Sequence, residues 1–287
     1  MRLKKWSFMQ RSRVAESGNS GQPVSADEAD ARMWSDVGAD WIAGSYQTLW
    51  RRHSDRIATA LIARWMPGGA RNVLKTDLFD EAISEGLYAA LQSRAGAVHG
   101  IDIARTTVQG AQRRHPGLKA QVADIKALPF ADGTFDTVVS LSTLDHFADR
   151  AEIDVALGEI RRVTASGGKL MLTLDNPLNP KIALRAAMPE WMLFRTGLVP
   201  YQCGVTLPRD ALVDAVQRAG FRVIEVTAIV HCPRVLAVRL AGLVAALSSP
   251  RLERGLLGAL LWFERLEHWP TCWRTGHFAA ILAEAID

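Results

Sequence analysis

The sequence has few cysteines, and they lie far apart. Among its 287 residues, Cys203, Cys232 and Cys272 form neither a CxxC pair nor a cluster with histidine. This argues against a disulfide framework and against a zinc site. No two histidines have HxxxH spacing either. We therefore expect reduced thiols, no metal and a cytoplasmic location.

Long hydrophobic runs and basic stripes are also missing. The longest apolar stretch, Val235–Leu247, contains Arg239 and is shorter than the ~20 residues that span a bilayer. The basic start, Met1–Arg13, is not followed by the apolar segment of a signal peptide. Lysine and arginine number 34 against 30 acidic residues, and they are not interleaved with aromatics. The sequence thus disfavours a transmembrane anchor, export and nucleic-acid binding.

Hydrophobic residues make up 48% of the chain, which is enough for a folded core. Residues 1–30 mix small, polar and charged side chains without a period, which predicts a flexible leader. Apolar residues then recur at helical spacing between Trp34 and Met66, before a Pro-Gly-Gly stop. We interpret residues 31–69 as a helical lead-in and residues 70–287 as the main domain.

Beyond residue 70, short apolar runs alternate with amphipathic stretches. The predicted strands are Asn72–Thr76, Ala97–Ile101, Lys119–Ala123, Phe135–Leu141, Lys169–Leu174, Phe221–Val230 and His277–Ala285. The predicted helices are Glu81–Arg94, Arg105–His115, Glu152–Val163 and Arg209–Ala219. Because parallel strands need a crossover long enough to hold a helix, this order predicts an α/β protein with a doubly wound, seven-stranded, mostly parallel sheet. The last strand is expected at an edge of that sheet.

Two segments interrupt the alternation, and we interpret them as insertions that cover one edge of the sheet. Residues 176–207 are rich in proline, leucine and aromatics, and residues 232–275 are mostly apolar helix with several tryptophans. The second insertion could form the wall of an apolar pocket or make a peripheral contact with a membrane. Packing of its tryptophans onto the sheet explains them equally well.

Acidic residues follow the second and third predicted strands, at the edge where α/β sheets bind ligands. Asp102 could accept hydrogen bonds from both hydroxyls of a ribose, or it could cap the following helix. Asp124 could hold the exocyclic amine of an adenine while Ile125 packs against the ring. The turn at 131–133 needs no ligand by itself.

These residues belong to a series of motifs along the chain. The series is Asp102, Asp124-Ile125, LPF at 128–130, FDTVVS at 135–140, and EIRRV at 159–163 before SGGKLMLT at 166–173. Over about residues 72–175 it resembles the class I S-adenosylmethionine-dependent methyltransferase family. The resemblance implies a Rossmann-like fold and S-adenosyl-L-methionine as the cofactor. It also implies contacts to the ribose, the adenine and the methionine arm by, respectively, Asp102 with Ile103, Asp124 with Ile125, and Ser140 with Leu141.

The chain departs from this family at the loop after the first strand. Where the family has a glycine-rich GxGxG loop, residues 73–81 read VLKTDLFDE, and the next glycine is Gly86. Glycine lets the backbone approach a ligand closely, so this loop must follow another path. Asp77, Asp80 or Glu81 could instead pair with the ammonium or the sulfonium of the cofactor. Alternatively, Asp80 and Glu81 only favour the start of the next helix, which leaves Asp77 as the preferred cofactor-binding residue.

Candidates for acid–base chemistry follow the later strands. His146 stands beside Asp145, and a histidine next to a carboxylate is a typical general base. Asp175 and Asn176 are second candidates for orienting the acceptor, and Arg234 could bind an anion. A structural role is the alternative for each of them.

The sequence as a whole predicts a methyltransferase whose partner is a small, rather hydrophobic acceptor, such as a lipid precursor or secondary metabolite. Such a reaction requires in-line positioning and the removal of at most one proton, so no metal is needed. Two alternatives stay open. One is a fold relative that uses the cofactor in a non-methylating reaction, and the other is a non-catalytic interaction module that has lost cofactor binding.

Overall fold

The computed structural model of the protein describes residues 48–66, 68–188 and 204–287, together with Met192. The predicted leader and residues 31–47 of the predicted lead-in lie outside the described residues. The same holds for most of residues 189–203 in the first predicted insertion, including Cys203.

Seven strands form one sheet in the described part of the chain. They are β1 (Ala70–Lys75), β2 (Ala95–Asp102), β3 (Lys119–Val122), β4 (Phe135–Ser140), β5 (Thr164–Asp175), β6 (Phe221–Ile229) and β7 (Phe278–Ala285). Their order is β3-β2-β1-β4-β5-β7-β6. The first five pair in parallel, and β7 is antiparallel to both of its neighbours. The predicted α/β fold with a doubly wound, mostly parallel sheet is therefore confirmed.

The expected edge position of the last strand is wrong. β7 lies between β5 and β6, and β6 forms the edge. Ala280 pairs with Thr173 on one side and with Thr227 on the other. All side chains from Ala279 to Ala283 are buried, so both faces of β7 are covered. A nearly continuous apolar run is typical of such an interior strand.

Helices pack on both faces of the sheet. The α-helices are α1 (Thr48–Trp65), α2 (Phe79–Ile83), α3 (Tyr88–Gln92), α4 (Arg105–Arg114), α5 (Arg150–Val163), α6 (Pro180–Ala187), α7 (Arg209–Arg218), α8 (Arg234–Ala246), α9 (Pro250–Trp262) and α10 (Cys272–Thr275). Two 3-10 helices are Leu144–His146 and Phe263–His268. The single helix predicted over residues 81–94 is wrong. The chain breaks between α2 and α3, where Ser84 is extended and Gly86 has a φ of 54°, a left-handed conformation that glycine adopts readily.

The core has one layer on each side of the sheet. Ile62 of α1 and Val108 of α4 pack in one layer, and Ile153 of α5 packs in the other. Val138 and Val139 of β4 point into opposite layers, as the alternation of side chains along a strand requires. The sheet is thus covered on both faces, and its strand ends are left to form a site.

The second predicted insertion contributes to the core and to the edge of the sheet. Helices α8 and α9 pack against each other and against α1, and Ala237 and Leu260 are buried in the same layer as α1. The segment Phe263–His268 and α10 contact β6, the edge strand. No helix in the described ranges combines the length and the hydrophobicity needed to cross a membrane.

Candidate active site

A cavity of about 590 Å³ lies at the carboxyl ends of the parallel strands. Strand β1 is flanked by β2 and β4, and this reversal of strand order is where doubly wound sheets bind ligands. The predicted cofactor residues that line the cavity are Asp77, Asp102, Ile103, Asp124, Ile125 and Leu141. The predicted catalytic residues Asp145, His146 and Asp175 line it as well. The volume suits a cofactor and substrate site.

The loop after β1 is built on a buried lysine. Lys75 is 1% exposed. Its Nζ donates to the main-chain oxygen of Asp77 at 2.7 Å and to its carboxylate at 3.0 Å, and lies 2.9 Å from Oε2 of Glu81. Burial alone would lower the pKa of Lys75, but the charges of Asp77 and Glu81 outweigh it and raise the pKa. Lys75 is therefore a permanent cation at the base of the loop, and the sequence pattern did not single it out.

Among the three acidic candidates of this loop, Glu81 serves the loop itself. Its side chain is buried, and Oε1 accepts the N–H of Leu87 at 2.9 Å, which ties α2 to α3. Asp77 and Asp80 line the cavity instead. Burial raises the pKa of Asp80 to about 7, although 41% of its side chain is open. The charge of Lys75 opposes this rise in pKa, and the charge of Asp77 adds to it.

Asp102 joins this loop to the second strand. Its Oδ2 accepts the N–H of Leu78 at 3.0 Å, and its Oδ1 accepts the N–H of Ala104 at 2.8 Å. Each carboxylate oxygen keeps a further lone pair for a ligand. Burial raises the pKa of Asp102 to about 6. The predicted helix-cap and ribose-binding roles are thus compatible, although Ala104 occupies the cap position of α4.

The loop closes over a glycine of the neighbouring strand. The side chain of Leu78 lies on Gly100, where an added Cβ would come within 2.4 Å of Leu78 Cδ2. Leu78 itself is buried. A glycine is therefore needed at position 100 of β2, because a larger residue there would displace Leu78 and the loop.

Of the residues predicted to contact the adenine and the methionine arm, all but Ser140 line the cavity. Asp124 accepts the N–H of Lys126 at 2.8 Å through Oδ1, and Ile125 is buried beside it. Leu141 lies in the cavity wall, but Ser140 does not. Ser140 is fully buried, and its Oγ accepts a hydrogen bond from Thr76 at 2.9 Å. Ser140 therefore holds β4 to the end of β1 instead of facing a ligand.

Asp145 and His146 lie in the short 3-10 helix after β4. Burial raises the pKa of Asp145 to about 6; the charge of His146 opposes this shift and that of Asp175 adds to it. The Oδ1 atom of Asp145 is buried and has no hydrogen-bond partner among the described residues. Just before the helix, Ser142 has a φ of 55°, and its N–H donates to Thr173 at 2.9 Å. A non-glycine residue in this left-handed conformation is strained, as is often seen at functional sites.

Asp175 is held in a chain of polar groups. It accepts a hydrogen bond from Arg185 at 2.5 Å, and its other oxygen lies 3.6 Å from Nε2 of His277. Arg234 lies 3.1 Å from the same Nε2. Burial and the charge of Arg234 hold the pKa of His277 well below its ordinary value, so His277 is neutral. Because Arg185 already pairs with Asp175, this carboxylate is better suited to orienting a ligand than to taking a proton.

At this rim Asn176 takes the structural role that was its alternative, and His231, which follows β6, is structural as well. Asn176 does not line the cavity; its Nδ2 donates to the main-chain oxygens of Trp273 and Gly276 at 2.7 and 2.9 Å. The ring of His231 lies 2.8 Å from the Thr275 hydroxyl and 2.8 Å from the main-chain oxygen of Ala228. Both side chains anchor the second insertion to the sheet. Arg234 does line the cavity.

Helix α1 supplies site residues that the sequence pattern did not indicate. Trp50, Arg51 and Asp55 line the cavity. Arg51 lies 3.7 Å from Asp80, and Arg234 lies over the ring of Trp50. Burial raises the pKa of Asp55 to about 6. The only available signal was that Arg51 and Asp55 are four residues apart and so share one face of the helix.

Comparison with known proteins identifies the family. Residues 62–172 match the family described as methyltransferase domain. The chain is 40% identical over 167 residues to a demethylmenaquinone methyltransferase of Thermus thermophilus, covering 51% of this chain and 74% of the relative. It is 28% identical to a malonyl-[acyl-carrier protein] O-methyltransferase of Erwinia billingiae, covering 67% and 74%. A third match is to a transposon-encoded protein of Streptomyces fradiae, with 37% identity. This match covers 32% of this chain and only 29% of that protein.

Solved structures show the same fold. The [4+2]-cyclase SpnF has a TM-score of 0.57 and 19% identity, with 93% of this chain and 99% of that chain covered. An S-adenosylmethionine-dependent methyltransferase from Mesorhizobium loti has a TM-score of 0.52 and 16% identity, with 79% and 95% covered.

Fold and site together define an α/β enzyme with a ligand-sized cavity at the switch point of its sheet. The chain belongs to the class I S-adenosylmethionine-dependent methyltransferase family, and its cofactor is S-adenosyl-L-methionine. The donor set of the cavity fits this cofactor. Asp102 and Asp124 keep acceptor capacity for hydroxyl and amine groups, and Asp77 and Asp80 offer negative charge.

Proposed function

We propose that this enzyme transfers the methyl group to a small, largely apolar acceptor. The proposal rests on the division of one cavity into two ends. Carboxylates of Asp55, Asp77, Asp80, Asp102 and Asp124 line the end near β1, β2 and β3. Near β6 and β7, the apolar side chains of Trp50, Ile229, Val230 and Phe278 line the wall, beside Arg234 and the Asp175–Arg185 pair. The acidic end complements a cationic cofactor, and the apolar end complements its acceptor.

In this proposal the acidic end holds the cofactor. Asp102 accepts from the ribose, and Asp124 accepts from the adenine amine while Ile125 packs on the ring. Asp77 pairs with the ammonium group, because it lines the cavity and Lys75 holds only one of its two carboxylate oxygens. Arg51, which also lines the cavity, pairs with the carboxylate of the methionine arm.

When bound, the cofactor supplies a methyl group that its sulfonium already activates. The chain therefore has to place the acceptor atom in line and, for an oxygen or nitrogen acceptor, to receive its proton. His146 is proposed to take that proton, and the adjacent carboxylate of Asp145 stabilises the charge that results. Asp175, fixed by Arg185, orients the acceptor.

The names of two relatives bear on the acceptor. Each has 74% of its length covered by this chain, and they are named for malonyl-[acyl-carrier protein] and for demethylmenaquinone. At these sequence identities, neither acceptor is assigned to this chain. The shared point is that both are acceptors other than nucleic acid, as the composition of this chain also predicts.

Product analysis tests the proposal. The purified enzyme is incubated with S-adenosylmethionine and a panel of acceptors: quinols and fatty acids as apolar members, and amino acids as polar ones. Formation of S-adenosylhomocysteine with a methylated apolar product is expected. Transfer confined to the polar acceptors would overturn the apolar assignment. Cofactor binding by calorimetry with conversion of an acceptor but no S-adenosylhomocysteine would instead support the non-methylating alternative.

A further inference from the structure

Helix α8 is apolar on its exposed side as well as on its buried side. Its buried side is formed by Ala237 and Ala241. On the exposed side, Leu236, Leu240, Leu243 and Leu247, which ends the helix, are 55, 37, 65 and 65% exposed. A helix on a protein surface normally presents polar side chains to water. The exposed side of α8 is therefore built for contact with something other than water.

The four leucines form a continuous row, which we call the leucine stripe (Leu236, Leu240, Leu243 and Leu247). Their spacings of four, three and four residues place them on one face of the helix. A contiguous exposed apolar surface of this kind marks a site of contact with another protein or with a membrane.

Arginines flank the leucine stripe. Arg239 lies within α8, and Arg251 and Arg254 lie in the first turn and a half of α9, directly after the stripe. All three are exposed, and none forms an ion pair with another residue of the described ranges.

The acidic side chains Glu253 and Glu264 of this region already have other partners. Glu253 pairs with Arg52 at 3.1 Å. Glu264 accepts the N–H groups of Val230 and His231 at 3.0 and 2.9 Å. The surface is thus both apolar and cationic.

We propose that the leucine stripe and its arginines bind the surface of a lipid bilayer that carries anionic headgroups. An apolar helix face inserts at the boundary between headgroups and acyl chains, and flanking arginines pair with the headgroups. The charge complementarity selects an anionic membrane over a second copy of this basic chain.

The position of α8 connects this surface with the cavity. The helix begins at Arg234, which lines the cavity, and the leucine stripe runs away from it. Docking would hold the apolar end of the cavity close to the bilayer. The proposed surface does not depend on the proposed function, because membrane binding is measured without cofactor or acceptor.

Vesicle flotation tests the leucine stripe. The full chain should float with vesicles of phosphatidylcholine and phosphatidylglycerol, and much less with phosphatidylcholine alone. The double change Leu240→Gln/Leu243→Gln should lower the partition coefficient by at least about tenfold. Val155→Gln is the control, because Val155 is 52% exposed and its helix α5 packs in the other core layer. Unchanged thermal unfolding shows that the variants fold.

A charge series tests the arginines. Arg251→Ala/Arg254→Ala should weaken binding to anionic vesicles by roughly 10- to 30-fold, and raising the salt from about 0.05 to 0.5 M should weaken wild-type binding. Arg113→Ala/Arg114→Ala removes the same charge from exposed positions of α4 and should have little effect.

Three results would overturn the proposal. The first is the absence of wild-type flotation with anionic vesicles. The second is an equal loss of binding in the stripe variant and in Val155→Gln. The third is a dimer in sedimentation experiments without lipid that the stripe variant dissociates, since the occupant of the leucine stripe would then be a second copy of the chain.

Discussion

The ammonium of Lys75 lies 2.9 Å from the carboxylate of Glu81, and the two side chains are 2% and 1% exposed. A buried charge without a partner is strongly unfavourable, so each side chain requires the other. The pair joins the end of β1 to α2, on either side of the loop where the family has glycines. A loop that depends on backbone freedom is thus replaced by one that depends on an ion pair, and Asp77 is fixed at the cavity as a consequence.

Removing the lysine should therefore destabilise the whole domain. Lys75→Met leaves Glu81 and Asp77 without their counter-ion, and we expect the free energy of unfolding to fall by about 3–5 kcal/mol. Urea unfolding followed by circular dichroism measures it. The double change Lys75→Met/Glu81→Gln keeps an acceptor for the N–H of Leu87 and should recover part of the loss. A loss below about 1 kcal/mol in Lys75→Met would contradict the role of the pair.

The sheet could be predicted because its strands are short apolar runs separated by helices. Asp102 and Asp124 could be predicted because carboxyl ends of parallel strands converge on one edge. Lys75 could not, because lysine is almost never fully buried unless it is paired. Its partner Glu81 comes within reach only through the path that α2 takes. The spacing of apolar residues along the sequence does not predict such a path.

The contribution of α1 to the cavity could not be predicted from the sequence for a different reason. Helical spacing of apolar residues shows which face of a helix is buried, but not which element that face meets. Arg51 meets Asp80, 29 residues further along the chain. Similarly, the position of β7 between β5 and β6 depends on which strands pair, and its apolar run alone did not fix that.

The two open carboxylates of the loop should differ in their effect on cofactor affinity. Asp77→Asn is expected to weaken binding of S-adenosylmethionine by about 1.5–3 kcal/mol, the usual loss for a charged hydrogen bond. Asp80→Asn should weaken it less, because the charge of Asp80 is already partly neutralised by Arg51 at 3.7 Å. Titration calorimetry measures both, and thermal unfolding of each variant provides the control. Equal and negligible losses would mean that these residues only support the loop.

Asp102 should be required for binding through its free lone pairs. Asp102→Ala removes the acceptor for the proposed ribose contact and for two N–H groups, and affinity should fall by about 1.5–3 kcal/mol or more. Asp102→Asn keeps one acceptor oxygen and should lose less. The same calorimetric titration with adenosine separates ribose binding from contacts to the methionine arm. An unchanged affinity for adenosine in Asp102→Ala would place the ribose elsewhere.

Cofactor affinity and stability should respond to pH in opposite directions. Burial raises the pKa of Asp55 and Asp102 to about 6 and that of Asp80 to about 7, whereas unfolded aspartates have a pKa of about 3.9. Between about pH 4 and 7 the unfolded chain therefore binds fewer protons, and the free energy of unfolding contributed by these groups falls as pH rises.

A cationic cofactor favours the ionised carboxylates, so its affinity should rise over the same range. The increase is up to about tenfold per pH unit for each proton released. Calorimetry at about pH 5.5, 6.5 and 7.5, in two buffers that differ in ionisation enthalpy, gives both the affinity and the number of protons released. A pH-independent affinity without proton release would show that these carboxylates do not face the cofactor.

His146 should affect turnover and leave cofactor binding unchanged. If it takes the proton of the acceptor, His146→Ala should lower kcat by about 10²–10⁴-fold, the usual contribution of a general base, with nearly the same affinity for S-adenosylmethionine. Asp145→Asn keeps the shape of its neighbour and should lower kcat less, with a shifted pH profile because the buried charge is gone. Asn176→Ala changes a residue of the rim that anchors the insertion and should act on thermal unfolding rather than on kcat. Full activity in His146→Ala would move the role to Asp175, or would identify an acceptor carbon or sulfur that needs no base.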